Sequence, residues 1–216
     1  MFLKSSIPWG FLIRGANQTT MVVSSQSDSA RSKADLREIL KERRSLIGEV
    51  ERRRLSAQGA QRLCGWLLGH GLSTVGLFAT IRDEIDTAPL FEALRGHGVR
   101  AAFPKIVEGV RELQFGFVAD WTQLVLGRYQ IPEPQEANAA IEMLEAVVVP
   151  GLGFDAVGGR LGYGAGWYDR TLMSYRGWSV GFGFDVQVVE EVPMESYDRR
   201  LDLVVTDERT LVVDTR

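Results

Sequence analysis

From Ser32 onward, apolar residues Leu36, Ile39, Leu40, Leu46, Ile47 and Val50 recur at helical spacing, with Lys and Arg filling the other face. The pattern predicts a helix starting near Ser32. Ser56 is a candidate N-cap for a second helix that carries Leu63, Trp66 and Leu67 and ends in the glycines around His70. The period then changes. "TVGLFA" (74–79) predicts a buried strand and "TIRDEID" a loop. "TAPLFEALRG" predicts a helix with Thr87 as N-cap, Pro89 in its first turn and Gly96 at its end. With "VRAAFP" (99–104) as the next strand, these segments form a βαβ unit, which implies a parallel pair and a right-handed crossover.

"ELQFGFV" (112–118) alternates, predicting a more exposed and antiparallel strand. "IPEPQEAN" is rich in turn residues, and "AVVVP" (146–150) is apolar enough to lie between two helical layers. A short helix over "WYDRTLMSY" and strands over "WSVGFGF", "LDLVVT" and "TLVVD" complete the chain. Strands alternating with helices predict a three-layer α/β/α domain over residues 32–216, with a mostly parallel central sheet and the N-terminal helices packed on it. Residues 1–31 are expected to be a disordered extension, or to reflect a start assigned upstream of Met21.

Composition narrows the class. Of 216 residues, 45% are hydrophobic and 25% charged, as in ordinary soluble domains. The single Cys64 excludes an intrachain disulfide and, beside Leu63, Trp66 and Leu67, is read as core packing in a reducing compartment. No stretch approaches the roughly 20 apolar residues of a membrane span. "IPWGFLI" is too short for a secretory signal and carries Pro8 and Gly10, so a cytoplasmic location is expected.

The net charge is −3, yet residues 31–62 hold ten Lys/Arg against five Asp/Glu. A basic segment on an otherwise acidic chain favours a specific anionic ligand over indiscriminate nucleic-acid binding. The triplet Arg52-Arg53-Arg54 reads as a solvated helix face. His70 and His97 adjoin glycines at predicted helix ends, where a cation suits the dipole. Neither has Cys or His partners at ligand spacing, which argues against a transition-metal site.

The densest chemistry lies in "GGRLGYGAGWYDR", residues 158–170. A P-loop is excluded because Gly-Lys-Ser/Thr is absent. Gly151, Gly153 and Ala156 have dinucleotide-fingerprint spacing after a strand, but Gly158-Gly159 follow too soon for the helix that such a motif opens. A longer cradle remains: glycine backbone N–H groups, the Arg160 fork and a helix start after Gly166 all suit phosphate. Asp169 beside them would repel phosphate unless Mg²⁺ intervened. Tyr163, Trp167 and Tyr168 could wall a flat ligand. The competing interpretation is a tight loop with an Asp–Arg surface pair and core aromatics. Asp198, on the residues alone, reads as an exposed partner of Arg199 or Arg200.

"PGLGFDAVGGRLGYGAGWYDR" resembles the signature of the 5-formyltetrahydrofolate cyclo-ligase family, PGxxFDxxGxRLGxGxGYYD. The resemblance runs in register from about Lys33 to Thr206, through "KADLR" (33–37), "DEIDT" (83–87), "IPEP" (131–134) and "GFGFDVQVVEEVPMESYDRRLDLVVTDE". It departs at Trp167, where the family has tyrosine, and at Tyr197, where histidine is common.

What this resemblance implies is specific. The fold would be of the NagB/RpiA/CoA-transferase-like type. Lys33, Arg37 and Arg160 would be catalytic and, with Leu161, Gly162, Tyr163, Gly164, Ala165, Gly166, Trp167 and Tyr168, would bind ATP. Glu84 and the strip Tyr163–Trp167 would contact folate, while Asp169 and Asp198 would hold Mg²⁺. The reaction would be ATP- and Mg²⁺-dependent cyclisation of 5-formyltetrahydrofolate, with or without a polyglutamate tail, by a monomer or weak homo-oligomer. Two alternatives stand beside it: a paralogue acting on another formyl or amide substrate, and a non-catalytic folate- or nucleotide-binding module.

Overall fold

The computed structural model describes residues 32–213, so the expectation for residues 1–31 lies outside them. Helix α1 (Lys33–Ser45) starts where the pattern predicts, with the Ser32 hydroxyl accepting the Asp35 N–H at 3.2 Å. Helix α2 (Glu49–Gly69) starts earlier than expected, because Gly48 already breaks the chain and serves as its N-cap. Ser56 is therefore no cap. It is fully buried inside α2, and its hydroxyl accepts the Asp86 N–H at 2.9 Å, tying the helix to the loop beyond the first strand. The break also turns Leu46 and Val50 outward, to 79% and 82% exposure.

After α2 come β1 (Thr74–Gly76), α3 (Ala88–Gly96), β2 (Arg100–Lys105) and β3 (Gln114–Val118). Then follow β4 (Leu124–Leu126), β5 (Pro132–Pro134), β6 (Ala146–Val149), β7 (Gly153–Phe154) and β8 (Arg160–Leu161). Helix α4 (Trp167–Leu172) and strands β9 (Trp178–Phe182), β10 (Leu203–Val205) and β11 (Thr210–Val212) complete the described residues. Thr87 stands at the N-cap of α3, but its hydroxyl donates to the Phe78 carbonyl, and Asp86 accepts the Ala88 N–H instead.

Seven strands form one sheet in the order β11-β10-β9-β6-β1-β2-β3. The five inner strands are parallel and the two edges antiparallel. Alternate residues of β6 feed opposite cores. Ala146 and Val148 join Leu63, Leu67, Phe91 and Leu94 under α2 and α3. Val147 and Val149 join Phe154, Leu172 and Tyr175 under α4 and long loops. The fold is thus three-layered with a mostly parallel sheet. Its second helical layer is thin.

Of the two N-terminal helices, α2 packs on the sheet. Helix α1 instead seats Leu36 and Leu40 on Leu152, Leu161, Val189 and Val192. That contact sets α1 against the two-stranded hairpin β7–β8. Strand β3 pairs antiparallel as expected but is not the exposed strand that alternation suggests: Phe115 and Val118 are buried, and Ala139 bridges to Phe115. The turn-rich "IPEP" segment carries β5, which pairs with β4.

Cys64 is buried in the α2 core, where burial pushes its thiol pKa up. His70 and His97 are the residues that end α2 and α3. Arg53 and Arg54 are exposed and pair with Glu49 and Glu51 of their own helix. Among the described residues, no helix is long and apolar enough to cross a membrane.

Candidate active site

The carboxyl ends of β1, β2 and β6 open onto a cavity of about 660 Å³, lined there by Phe78, Ala79, Pro104, Ile106 and Pro150. This is where open parallel sheets ordinarily bind ligands. The remaining walls come from α1, the segment Arg160–Asp169, and the loop bearing Glu195 and Asp198. Nearly all the residues singled out from sequence meet here: Lys33, Arg37, Glu84, Arg160 to Asp169 and Asp198.

The glycine-rich stretch divides into two parts with different work. Its first part is structural. Asp155 is buried and accepts the N–H groups of Val157, Gly159 and Val192, closing the β7–β8 turn. Only the second part, from Arg160, faces the cavity. There Gly164 and Gly166 take φ of +102° and +68°, values that any Cβ would disfavour. Gly166 then starts α4, which puts Asp169 in its first turn.

Arg160 has a 4% exposed side chain. One terminal nitrogen donates to Asp169 Oδ1 at 2.7 Å, the other donates to the Pro150 carbonyl at 3.3 Å, and its Nε–H has no partner among the described residues. Lys33 Nζ lies 2.5 Å from Asp198 Oδ2 and 3.4 Å from Glu195. Asp198 is therefore not paired with Arg199 or Arg200; the latter donates to the Val157 carbonyl. Arg37 Nε donates to the Gly162 carbonyl at 2.9 Å. The cavity lining thus holds three cations (Lys33, Arg37, Arg160) and, beside them, three carboxylates (Asp169, Glu195, Asp198), with the Asp–Arg pair inside it and not on an outer surface.

Asp169 and Asp198 suit a magnesium ion chemically, since Mg²⁺ takes one or two carboxylates and completes its shell with phosphates and water. Among the described residues, no three or more His, Cys, Asp or Glu gather as a metal cage. Each carboxylate is presently neutralised by a cation, Asp169 by Arg160 and Asp198 by Lys33.

In the same lining, Glu84 is 4% exposed. One oxygen accepts the Ile81 N–H at 3.1 Å and the other accepts the Tyr163 hydroxyl at 2.8 Å. Arg44, which the sequence reading passed over, donates to that same hydroxyl at 2.9 Å and to Asp83 at 2.8 Å. A guanidinium only donates, so the Tyr163 oxygen must accept from Arg44 and spend its own proton on Glu84. Burial raises the Glu84 pKa against the pull of its two donors. Burial also pushes the Tyr163 and Tyr168 phenols well above their usual range.

Arg44 was legible in principle. Lys33, Arg37 and Arg44 are spaced by four and seven residues and share one face of α1. The charge-run interpretation hid it. Its side chain is 2% exposed, whereas that of Asp83 is 23% exposed. The two truncations should therefore differ. Asp83→Ala strands a buried cation and is expected to cost about 2 kcal/mol, but Arg44→Met leaves a carboxylate that water can reach and should cost about 1 kcal/mol or less. Urea unfolding checks this, and the reverse order would refute the assignment.

Comparison with known proteins shows the family. The profile of the 5-formyltetrahydrofolate cyclo-ligase family matches residues 29–207. The 5-formyltetrahydrofolate cyclo-ligase of Escherichia coli is 32% identical over 178 residues, covering 78% of this chain and 96% of the relative. That of Mycolicibacterium smegmatis is 31% identical, covering 85% and 98%. The solved structure of Aquifex aeolicus 5,10-methenyltetrahydrofolate synthetase superposes with a TM-score of 0.75 at 31% identity, over 85% of this chain and 94% of that one. With fold and sequence in accord over most of its length, the chain belongs to the 5-formyltetrahydrofolate cyclo-ligase family.

Proposed function

We propose that the protein cyclises 5-formyltetrahydrofolate to 5,10-methenyltetrahydrofolate, with ATP converted to ADP and phosphate and with Mg²⁺ bound alongside the nucleotide. One observation carries this reading. A single cavity is lined both by charged groups suited to phosphate and a cation (Lys33, Arg37, Arg160, Asp169, Asp198) and by aromatic and apolar side chains beside the buried Glu84.

The chemistry needs both kinds of lining. A formamide oxygen is a poor leaving group, so the formyl oxygen attacks the γ-phosphorus and ADP departs. The neighbouring secondary amine then attacks the activated carbon and loses its proton. Expulsion of phosphate leaves the cyclic amidinium. No side-chain nucleophile is required; phosphoryl transfer asks mainly for alignment and charge stabilisation.

Lys33, Arg37 and Arg160 would bind the phosphates, with the backbone from Leu161 to Tyr168 completing the nucleotide wall. Tyr163 and Trp167 would border the folate between Glu84 and the nucleotide. Asp169 and Asp198 would hold Mg²⁺, which when bound neutralises charge on the phosphate oxygens. As phosphates arrive, Arg160 and Lys33 would exchange their carboxylate partners for phosphate oxygens.

The direct test is turnover. Protein mixed with 5-formyltetrahydrofolate, ATP and Mg²⁺ should develop the near-ultraviolet absorbance of the methenyl product and release ADP in equal amount. A folded protein giving no signal would refute the reading. ADP release only with another formyl or amide substrate would favour a paralogue, and folate binding without ADP release would favour a binding module.

The raised Glu84 pKa sets a pH dependence. Glu84 takes up its proton at a pH above the usual glutamate value of about 4.3, and the acceptor for Tyr163 and for the substrate weakens there. Folate affinity should therefore fall on the acid side with an apparent pKa above about 4.3, and Glu84→Gln should abolish that limb. An unchanged limb in the variant would remove Glu84 from the site. The same shift makes ionised Glu84 a stability cost that grows as pH rises from its unfolded to its folded pKa.

A further inference from the structure

Glu133 is a second buried carboxylate of the cavity, and the reaction as described leaves it unused. It lies at the centre of β5, paired with Val125 of β4. The residue is only 5% exposed, and it lines the cavity together with Ile106 and Ile131. Among the described residues its carboxylate has no hydrogen-bond or ion-pair partner, and neither oxygen is sealed away from the open space. Lys105, the cation that reaches β5, donates to the Pro134 carbonyl at 3.0 Å instead.

The carboxylate is also held in place. Gly127 closes the β4–β5 hairpin, its N–H donating to the Ile131 carbonyl at 2.8 Å. A Cβ at position 127 would come within 3.0 Å of three carboxylate atoms of Glu133. The hairpin therefore seats the carboxylate against bare backbone. A buried acceptor kept free of protein donors costs free energy unless a ligand supplies them.

Among apolar neighbours, the ligand chemistry that fits is a flat heterocycle with N–H donors on one edge. Glu84 is less able to serve that edge alone, because its two oxygens already accept from Tyr163 and Ile81. We propose that Glu133 is a specificity-determining residue that accepts hydrogen bonds from the ring N–H and amino group of the substrate's pterin. The proposal rests on the folate reading above. A carboxylate meets two adjacent parallel donors with two oxygens, so the contact selects a 2-amino-4-oxo ring over rings lacking the amino group.

The test uses the full-length protein, Glu133→Gln and Glu133→Ala. Equilibrium binding of 5-formyltetrahydrofolate without ATP is measured beside KM and kcat for both substrates. Glu133→Ala should raise the folate Kd and KM roughly 10- to 100-fold, the loss of charge-assisted bonds, with ATP KM and kcat nearly unchanged. The isosteric Glu133→Gln keeps one acceptor and should lose roughly tenfold, so it carries the test if the alanine variant fails to fold. A 2-desamino analogue of 5-formyltetrahydrofolate should bind the wild type much more weakly than the parent, and Glu133→Ala should shrink that preference.

A folate Kd within twofold in both variants, with the wild type active, would overturn the proposal. So would folate and ATP constants moving together, the mark of a merely structural role. A wild type that neither binds nor converts the folate overturns the folate reading, and this one with it.

Discussion

Replacing Arg160 with alanine should lower kcat by roughly 10²-fold or more, the usual effect of removing a preorganised donor from a site of developing charge. The side chain is almost fully enclosed, and its planar fork is divided between Asp169 and the Pro150 carbonyl. Its Nε–H is buried with no partner among the described residues, a donor already stripped of water and waiting for an acceptor. The Tyr168 ring, 5.7 Å from the guanidinium carbon, adds a favourable face. Such a group costs little reorganisation when negative charge develops on the transferring phosphoryl.

Packing must be separated from chemistry, because alanine at so buried a position leaves a void. Arg160→Gln fills part of that space with a shorter, neutral side chain and should fold, yet it should lose turnover nearly as severely. Arg160→Lys keeps the charge without the fork and should recover ATP affinity more than kcat. Near-normal turnover in Arg160→Ala would remove the residue from the mechanism.

The second large effect is expected at Asp169. Asp169→Asn preserves size and can still accept from Arg160, but it removes the charge. Substitutions of outer-shell partners commonly cost 10- to 100-fold in metal affinity, so loss of a ligand should shift the Mg²⁺ midpoint of activity at least tenfold. An opposite change is expected without metal: ATP should bind the variant more tightly than the wild type, because a carboxylate beside the phosphates has gone. Asp198→Asn should behave likewise, freeing Lys33. If the Mg²⁺ titration and metal-free ATP affinity are both unchanged, neither carboxylate acts through a metal.

Much of this site was visible in one-dimensional pattern. The glycine segment with Arg160 and Asp169, the basic face bearing Lys33 and Arg37, and Glu84 in its loop all come to one cavity. The glycine segment was legible from its dense local chemistry, and Lys33, Arg37 and Glu84 from the family resemblance. What escaped notice were residues whose meaning depends on a partner distant in sequence. Arg44 reads as one more solvated arginine until Tyr163 and Asp83, 119 and 39 residues away, close around it. Glu133 reads as part of a turn until β4 and Gly127 bury it. Ser56 reads as a cap because its chemistry permits one, but its hydroxyl is used by Asp86, 30 residues onward.

Local sequence, by itself, predicted the main helices, the strands of the large sheet and its mostly parallel arrangement, and it marked the glycine loop as the densest candidate for a site. Those properties follow from side-chain periodicity and backbone sterics, which act between near neighbours. Only the tertiary structure decided how charge is shared. It paired Lys33 with Asp198 across 165 residues and put Arg160 on Asp169 inside the cavity. It also buried the Glu133 carboxylate with no donor among the described residues. Burial and partner choice are set by whichever elements the folded sheet brings together, and no spacing along the chain encodes that distance.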